Sequence, residues 1–429
     1  MRPRLLLACA GAVLAVGLAA CGSTKATASG NRPTVPATTS TAATTHTAAT
    51  PAAAPLPTAT CASTVAGALG QVAQRVYHAA ASGDDIAQAV GRVQSSTALA
   101  SAIRGNSASA TGAALRELLK VQIVRIEVLR GGHVLAGAGS GPAVAPVRGS
   151  ISGTGATYVL SVQSDEDYLQ VAHQITGAQV LLLSGDRRLA GTFAGPAASA
   201  VPTSGTVNYA GESYQVASVS GATYPSGALR IALLIPSGGL VCPGSTGQTR
   251  IETLGRVGER IYEEETDSPT VLATLHRMER NPAFVEAVAA HSTTAVRAAI
   301  VGFFASHIHV VRVRVTVGGR LLYDLGGPYV LAPVHGTLRS GGRVVGAFET
   351  SIQDDAGYLE LAHLFTGAEV LMRVGGEQVQ GTLSPGPASV PTRGEVGYGG
   401  RSYEAYSFTA EAFPSGPLHI SLLIPAYAR

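Results

Sequence analysis

A cluster of polar and aromatic residues in the second half of the chain has the chemistry of a small-molecule binding site. Arg312 and Arg314 alternate with valines, so a strand would place both guanidinium groups on one face. A planar guanidinium can hold a carboxylate through two parallel hydrogen bonds, and aromatic walls with a few polar groups suit a small ligand. We therefore predict a pocket for a small anionic metabolite, formed by Arg312, Arg314, Tyr323, Asp324, Tyr329, His335, Gln353 and Asp355.

These residues also have structural interpretations. Arginines on an alternating strand commonly form a solvated face, and Asp354 with Asp355 can begin a helix as an N-cap and a first-turn acid. His307 and His309 would share a strand face, as a metal pair requires, but no cysteine or carboxylate lies obviously beside them. We therefore expect no metal. The run Glu263–Glu265 predicts a solvated helix end.

The sequence offers little support for catalysis. It contains no Gly-x-Ser-x-Gly, no His-Glu-x-x-His and no phosphate-binding Gly-x-x-x-x-Gly-Lys motif. A net charge of +3 without a basic face argues against a nucleic-acid partner. We expect a non-catalytic protein that uses no cofactor, and an enzyme of an unfamiliar kind is the remaining alternative.

The first twenty residues have the pattern of an export signal. Arg2 and Arg4 precede an apolar run that ends in Leu18-Ala19-Ala20-Cys21. This tetrapeptide resembles a bacterial lipobox, which implies cleavage before Cys21, lipid transfer to its thiol and anchoring to the cell membrane. The alternatives are an ordinary signal peptide with an incidental cysteine and an uncleaved anchor.

A segment of low complexity follows the signal at residues 21–60. It is rich in Thr, Ala, Pro and Ser and poor in large apolar residues, so we predict a disordered tether. Cys61 and Cys242 are the cysteines that remain once Cys9 leaves with the signal and Cys21 takes the lipid. An oxidising compartment permits a disulfide between them, which would join the entrances of two domains. The alternative is two free thiols.

Two copies of one sequence follow the tether. TGAQVLLL at 176–183 returns as TGAEVLMR at 366–373, and PSGALRIALLIP at 225–236 returns as PSGPLHISLLIP at 414–425. The order of these segments is constant, so we predict two complete domains, at 61–238 and 239–429.

Each copy is predicted to be an α+β domain, with N-terminal helices and a mainly antiparallel sheet. Apolar residues at spacings of three and four predict a first helix, and further helices are predicted near 85–103 and 269–289 and just before the sheet. Gly-Gly pairs at 131–132 and 318–319 predict a hairpin. A later strand leads into a helix with Tyr168 or Tyr358 on its buried stripe, and three more strands complete the copy.

This order of elements resembles the extracytoplasmic PAS-like sensor modules called Cache domains. The resemblance rests on the leading helix with its Gly-Gly hairpin, an Ala-Pro-Val segment at 145–147 and 332–334, and the strand, helix and Thr-Gly-Ala turn that follow. It implies a small metabolite held between the sheet and covering loops, and members of the family pass the signal through a membrane helix to a kinase, cyclase or chemotaxis module. For this chain we expect instead that a ligand or a bound state is presented to a membrane receptor or another envelope partner. The sequence departs from the family in carrying a lipid signal where members have a spanning helix, and in its lack of an output module. The alternative is a structural or partner-binding envelope protein without a ligand.

Overall fold

The computed structural model describes residues 58–120, 122–240, 242–306, 310–328, 330–414 and 416–426. Cys21 and the signal lie outside the described residues, as do Tyr329, His307 and His309. The first helix begins at Thr58, inside the segment that the composition predicts to be a tether.

The first copy alternates helices and strands as follows. Its helices are α1 (Thr58–Ser82), α2 (Asp84–Ser95), α3 (Thr97–Arg104), α4 (Ala108–Leu118) and α5 (Asp165–Thr176). Its strands are β1 (Arg125–Arg130), β2 (His133–Gly139), β3 (Ala143–Val144), β4 (Val147–Ile151), β5 (Ala156–Ser161), β6 (Gln163–Ser164), β7 (Gln179–Ser184), β8 (Arg187–Gly191), β9 (Ser204–Tyr209), β10 (Glu212–Thr223) and β11 (Gly227–Pro236).

The second copy repeats this order with two fewer short strands among the described residues. Its helices are α6 (Thr246–Asp267), α7 (Pro269–Glu279), α8 (Pro282–Ala289), α9 (Thr293–Ala305) and α10 (Asp355–Thr366). Its strands are β12 (Arg312–Val317), β13 (Arg320–Gly326), β14 (Val334–Ser340), β15 (Arg343–Ser351), β16 (Glu369–Val374), β17 (Glu377–Gly381), β18 (Arg393–Tyr398), β19 (Arg401–Glu411) and β20 (Pro417–Pro425).

The α+β class is confirmed, but each copy forms two antiparallel sheets where the sequence suggested one. In the first copy, one sheet has the order β2-β1-β5-β4, and the other has the order β6-β3-β10-β11-β7-β8 with β9 beside β10. The second copy has the orders β13-β12-β15-β14 and β17-β16-β20-β19-β18. Helix α10 carries the chain from the first sheet of the second copy to the second, whereas α5 joins β6 to β7 within the second sheet of the first copy. Five strands follow each of these helices instead of the predicted three. Alternation along a strand identifies its two faces, but it does not identify the neighbouring strand.

Two helices that the sequence predicted as single elements are each divided. Ser96 accepts a hydrogen bond from the backbone N–H of Leu99 and begins α3, while Asn281 accepts from Phe284 and begins α8. Pro282 follows Asn281 at the first helical position, where a missing N–H costs nothing. Each side chain accepts a backbone N–H in place of a helix carbonyl, which allows one helix to end and the next to begin. The apolar periodicity runs on across this break, so it did not reveal it.

The two copies share one apolar core. Helices α1 and α6 pack against each other, and each also packs against both α5 and α10. The largest cluster of buried apolar residues draws on both copies, including Val72 and Leu254. Tyr168 and Tyr358 lie fully buried in it, as the sequence predicts, and each hydroxyl donates to a helix backbone carbonyl, of Ala73 and Gly258 respectively, at 3.1 Å.

Arginines cross between the copies in both directions. Arg75 of α1 donates to the carbonyl of Thr366 at the end of α10 at 2.7 Å, and Arg260 of α6 donates to Thr176 at the end of α5 at 3.0 Å. The last carbonyls of a helix have no partner within the helix, and its C-terminus carries partial negative charge. Each copy therefore caps a helix of the other.

The disulfide predicted between Cys61 and Cys242 is confirmed. It joins the first turns of α1 to the segment just before α6, with the two Cα atoms 5.7 Å apart. Cys61 is fully buried against the shared core. The bond therefore fixes the start of α1 beside the entrance to the second copy.

Removing one crossing arginine should destabilise the whole chain. In Arg260→Ala the carbonyl of Thr176 loses a charged donor in a partly buried place, so we expect a loss of about 2 kcal/mol in the free energy of unfolding. Chemical denaturation under oxidising conditions measures it. Arg256→Ala is the matched control, because this side chain is 47% exposed one turn earlier on α6 and its partner Glu252 keeps a shorter contact with Arg393 at 2.7 Å. Equal losses in the two variants would contradict the capping role.

Candidate functional site

The polar face of the β12–β15 sheet carries four of the eight predicted ligand residues, namely Arg312, Arg314, Asp324 and His335. Val313 and Val315 point into a core formed with α8 and α9, so Arg312 and Arg314 share the opposite face, as predicted. Arg314 stands opposite Asp324 on β13 and opposite Glu349 on β15, and His335 on β14 stands opposite Glu349. We call these four residues, Asp324, Arg314, Glu349 and His335, the charged row.

Arg312 lies beside the charged row and is held by contacts within the protein. Its Nε and Nη2 donate to the two carboxylate oxygens of Asp324 at 3.1 and 2.9 Å. Its guanidinium also stacks on the ring of Phe413 at 4.4 Å. The equivalent Arg125 stacks on Tyr224 at 4.5 Å in the first copy. The fork that the sequence suggested for a ligand thus holds an internal carboxylate and joins the first sheet of its copy to the second.

Arg314 has a different environment from Arg312. Within the described ranges it makes no hydrogen bond and no ion pair, and its Nε is buried. A buried cationic donor that lacks a partner loses its hydration without compensation. Arg314 is therefore the guanidinium of the charged row that remains open to a bound anion.

His335 ends the charged row on its exposed side. Its side chain is about half exposed, with Nδ1 3.7 Å from Glu349 and Nε2 3.5 Å from Glu411. Glu411 and Phe413 both belong to the end of the β19–β20 hairpin, which covers this face of the sheet. Sequence reasoning missed both residues, because they lie about 100 positions from Arg312 along the chain.

The other predicted ligand residues do not join the charged row. Tyr323 stands opposite Val315 and packs against the α8–α9 core, which is the other side of the sheet. Gln353 is half-buried, and its backbone carbonyl accepts a hydrogen bond from Ser351 at 3.0 Å. Tyr329 lies outside the described residues.

Asp355 is buried at the start of α10, where Asp354 serves as the predicted N-cap by accepting from Gly357. One carboxylate oxygen of Asp355 accepts the N–H of Val330 at 3.0 Å. Burial raises the pKa of Asp355 to about 6, with a smaller rise from Asp354 and an opposing effect of the backbone N–H groups. The carboxyl therefore anchors the segment that leads into β14.

Glu265 corrects the prediction of a solvated helix end. The side chain is buried near the end of α6, and burial raises its pKa well above the usual value, with a further rise from Asp354. In the first copy, Asp165 occupies the position of Asp355, and burial raises its pKa too. A charge run on a helix predicts exposure only where no second helix packs on that face, and α10 packs on α6 here.

Two open grooves lie away from the charged row. One, of about 600 Å³, is lined by Glu279, Arg280, Val285, Thr337 and Arg339 beside the β14–β15 turn. The other, of about 550 Å³, lies between α1 and β9–β10 of the first copy. No group of three or more His, Cys, Asp or Glu side chains is arranged to hold a metal in the part of the chain that the structure describes. Among those same residues, no helix combines the length and the apolar character needed to cross a membrane.

Comparisons with known proteins leave the family open. No family model and no curated protein matches the chain. Among solved structures, the periplasmic domain of Vibrio cholerae LuxQ aligns at 11% identity and a TM-score of 0.29, covering 41% of this chain and 100% of that domain. A TM-score of this size does not support conclusions about function.

The pKa of Asp355 predicts how stability depends on pH. Because the folded protein holds this proton to a higher pH than the unfolded chain, stability should fall as pH rises from about 4 to about 6. The slope attributable to one such group is at most about 1.4 kcal/mol per pH unit. Asp355→Asn should flatten the slope of unfolding free energy in that window, measured by urea denaturation at several pH values. Asp186→Asn in the exposed β7–β8 turn is the control, and an unchanged slope in Asp355→Asn would refute this assignment.

Proposed function

We propose that this protein is a lipid-anchored, extracytoplasmic binding protein of the sensor type, without catalytic activity, and that its second copy binds a small anionic metabolite. The observation that supports the site is Arg314, a guanidinium with a buried Nε and no partner among the described residues. A ligand carboxylate would supply the missing acceptors through two charge-assisted hydrogen bonds.

The neighbours of Arg314 restrict the ligand further. Asp324 and Glu349 face it from the two flanking strands, and Glu411 approaches from the β19–β20 hairpin beside His335. An anion without donors of its own would meet these carboxylates unfavourably. We therefore favour a small carboxylic acid that also carries a hydroxyl or ammonium group, with its carboxylate on Arg314 and its donor towards the acids.

A structural or partner-binding role is the second candidate. The observation that favours it is the internal pairing of Arg312 with Asp324, together with Tyr323 packed in the core. Both reduce the number of predicted ligand residues that remain free for a ligand. On this alternative, no metabolite would stabilise the folded protein.

Thermal unfolding in the presence of hydroxy acids, keto acids and amino acids tests the binding proposal. A ligand present at a hundred times its dissociation constant should stabilise the protein by about 2.7 kcal/mol. Arg314→Gln should remove the shift, while Arg320→Gln, at the exposed start of β13, should retain it. A shift that survives in Arg314→Gln would place the ligand elsewhere, and the lack of any shift across the library would favour the structural alternative.

The proposed lipid anchor has its own test. Cys21→Ser removes the thiol that would receive the lipid, so we expect the protein to leave the membrane fraction in cells that process such signals. Cys9→Ser, in the apolar part of the signal, is the matched control and should leave the protein membrane-bound. Membrane association that persists in Cys21→Ser would favour an uncleaved anchor.

A further inference from the structure

The groove between α1 and β9–β10 of the first copy has a filled counterpart in the second copy. Tyr168 donates to Ala73 on α1 just as Tyr358 donates to Gly258 on α6, which aligns the two helices residue by residue. The pairing of Ser204 with Ala217 likewise matches that of Arg393 with Tyr406. The two places can therefore be compared side chain by side chain.

In the second copy, an aromatic plug fills this place. The ring of Tyr406 is buried directly against Gly255, so closely that a Cβ on that glycine would overlap it. Its hydroxyl donates to Glu259 at 2.6 Å, and the guanidinium of Arg393 stacks on the ring at 3.5 Å. Arg393 in turn donates to Glu252 at 2.7 Å. We call Tyr406, Arg393, Glu252 and Glu259 the aromatic plug.

In the first copy, the helix glycine that would lie under a ring is present, but the residues of the aromatic plug are not. Gly70 stands where Gly255 stands, and a Cβ there would make only an ordinary contact with Ala217, at 3.4 Å. The four plug residues are replaced by Ala217, Ser204, Gly67 and Gln74, which are smaller or uncharged. The result is the open groove of about 550 Å³.

We propose that this groove is a binding site for a small, neutral, planar aromatic molecule with a hydroxyl group. Its ring would lie on Gly70 as the ring of Tyr406 lies on Gly255. Its hydroxyl would donate to the amide oxygen of Gln74, whose Nε2 lies 2.9 Å from His78, as that of Tyr406 donates to Glu259. All three charges of the plug are lost together, so the groove favours a neutral ligand. The groove lies in the first copy and the charged row lies in the second, so this proposal does not depend on the proposed anion site.

Gly70→Ala tests the proposal directly, because the added methyl group would occupy the space of the ligand's ring while the protein should still fold. Alanine is favoured over glycine within a helix, and the space next to Gly70 accepts a Cβ when no ligand is present. The probe is 4-methylphenol, which reproduces the tyrosine side chain. We expect the full chain to bind one molecule with a dissociation constant on the order of 1 mM or below, as is reasonable for so small a ligand.

Titrations followed by NMR should show affinity reduced about tenfold or more in Gly70→Ala. Gly91→Ala is the matched control, since it makes the same change in α2 where a Cβ meets nothing, and it should leave affinity unchanged. Arg314→Gln should also bind normally, which separates this site from the proposed anion site. Failure of the wild-type protein to bind 4-methylphenol, or equal binding by Gly70→Ala, would overturn the proposal. If the protein binds N-acetyltyrosine amide but does not bind 4-methylphenol, the proposal is overturned, and the groove would instead hold a tyrosine side chain of a partner protein.

Discussion

The arrangement of the two copies depends on the reciprocal capping of α5 and α10 by arginines of the opposite copy. Each helix ends in a Thr-Gly-Ala turn whose glycine adopts φ near +67°, and the turn leaves helix carbonyls exposed. Arg260 fills the space beside Gly177, and Arg75 fills the space beside Gly367, so a side chain on either glycine would meet a guanidinium. Burial lowers the pKa of both arginines, because desolvation makes the charged form less favourable in the interface. The carbonyls offset that cost, and they do so only while the copies are joined.

This constraint explains why the copies have kept some features and lost others. The capping arginines, the Thr-Gly-Ala turns and the two core tyrosines occur in both copies, because each serves the shared centre. Residues farther out serve one copy alone and have diverged. The second copy has Asp324, His335 and the aromatic plug, whereas the first has glycine, arginine and residues that are smaller or uncharged at these positions. The charged row and the open groove are thus two different outcomes of one duplicated backbone.

The features that local pattern determines could be predicted from the sequence. The duplication, the α+β class, the capped helices with their buried tyrosines and the glycine C-caps follow from periodicity and residue type within short segments. The disulfide was one of two open possibilities. The division of each copy into two sheets could not be predicted, since no local signal identifies which strands are neighbours. Nor could the pairing of Arg312 with Asp324 and Phe413, or the burial of Glu265 under α10, because each depends on a contact between distant parts of the chain.

The disulfide between Cys61 and Cys242 also determines how the chain would carry mechanical force. The cysteines are 181 positions apart, and this interval contains nearly all of the first copy. Tension applied between the start of α1 and the second copy passes through the covalent bond and not through the intervening strands. The first copy is therefore a closed loop beside the line of force, and the strands that line its groove would carry no direct tension.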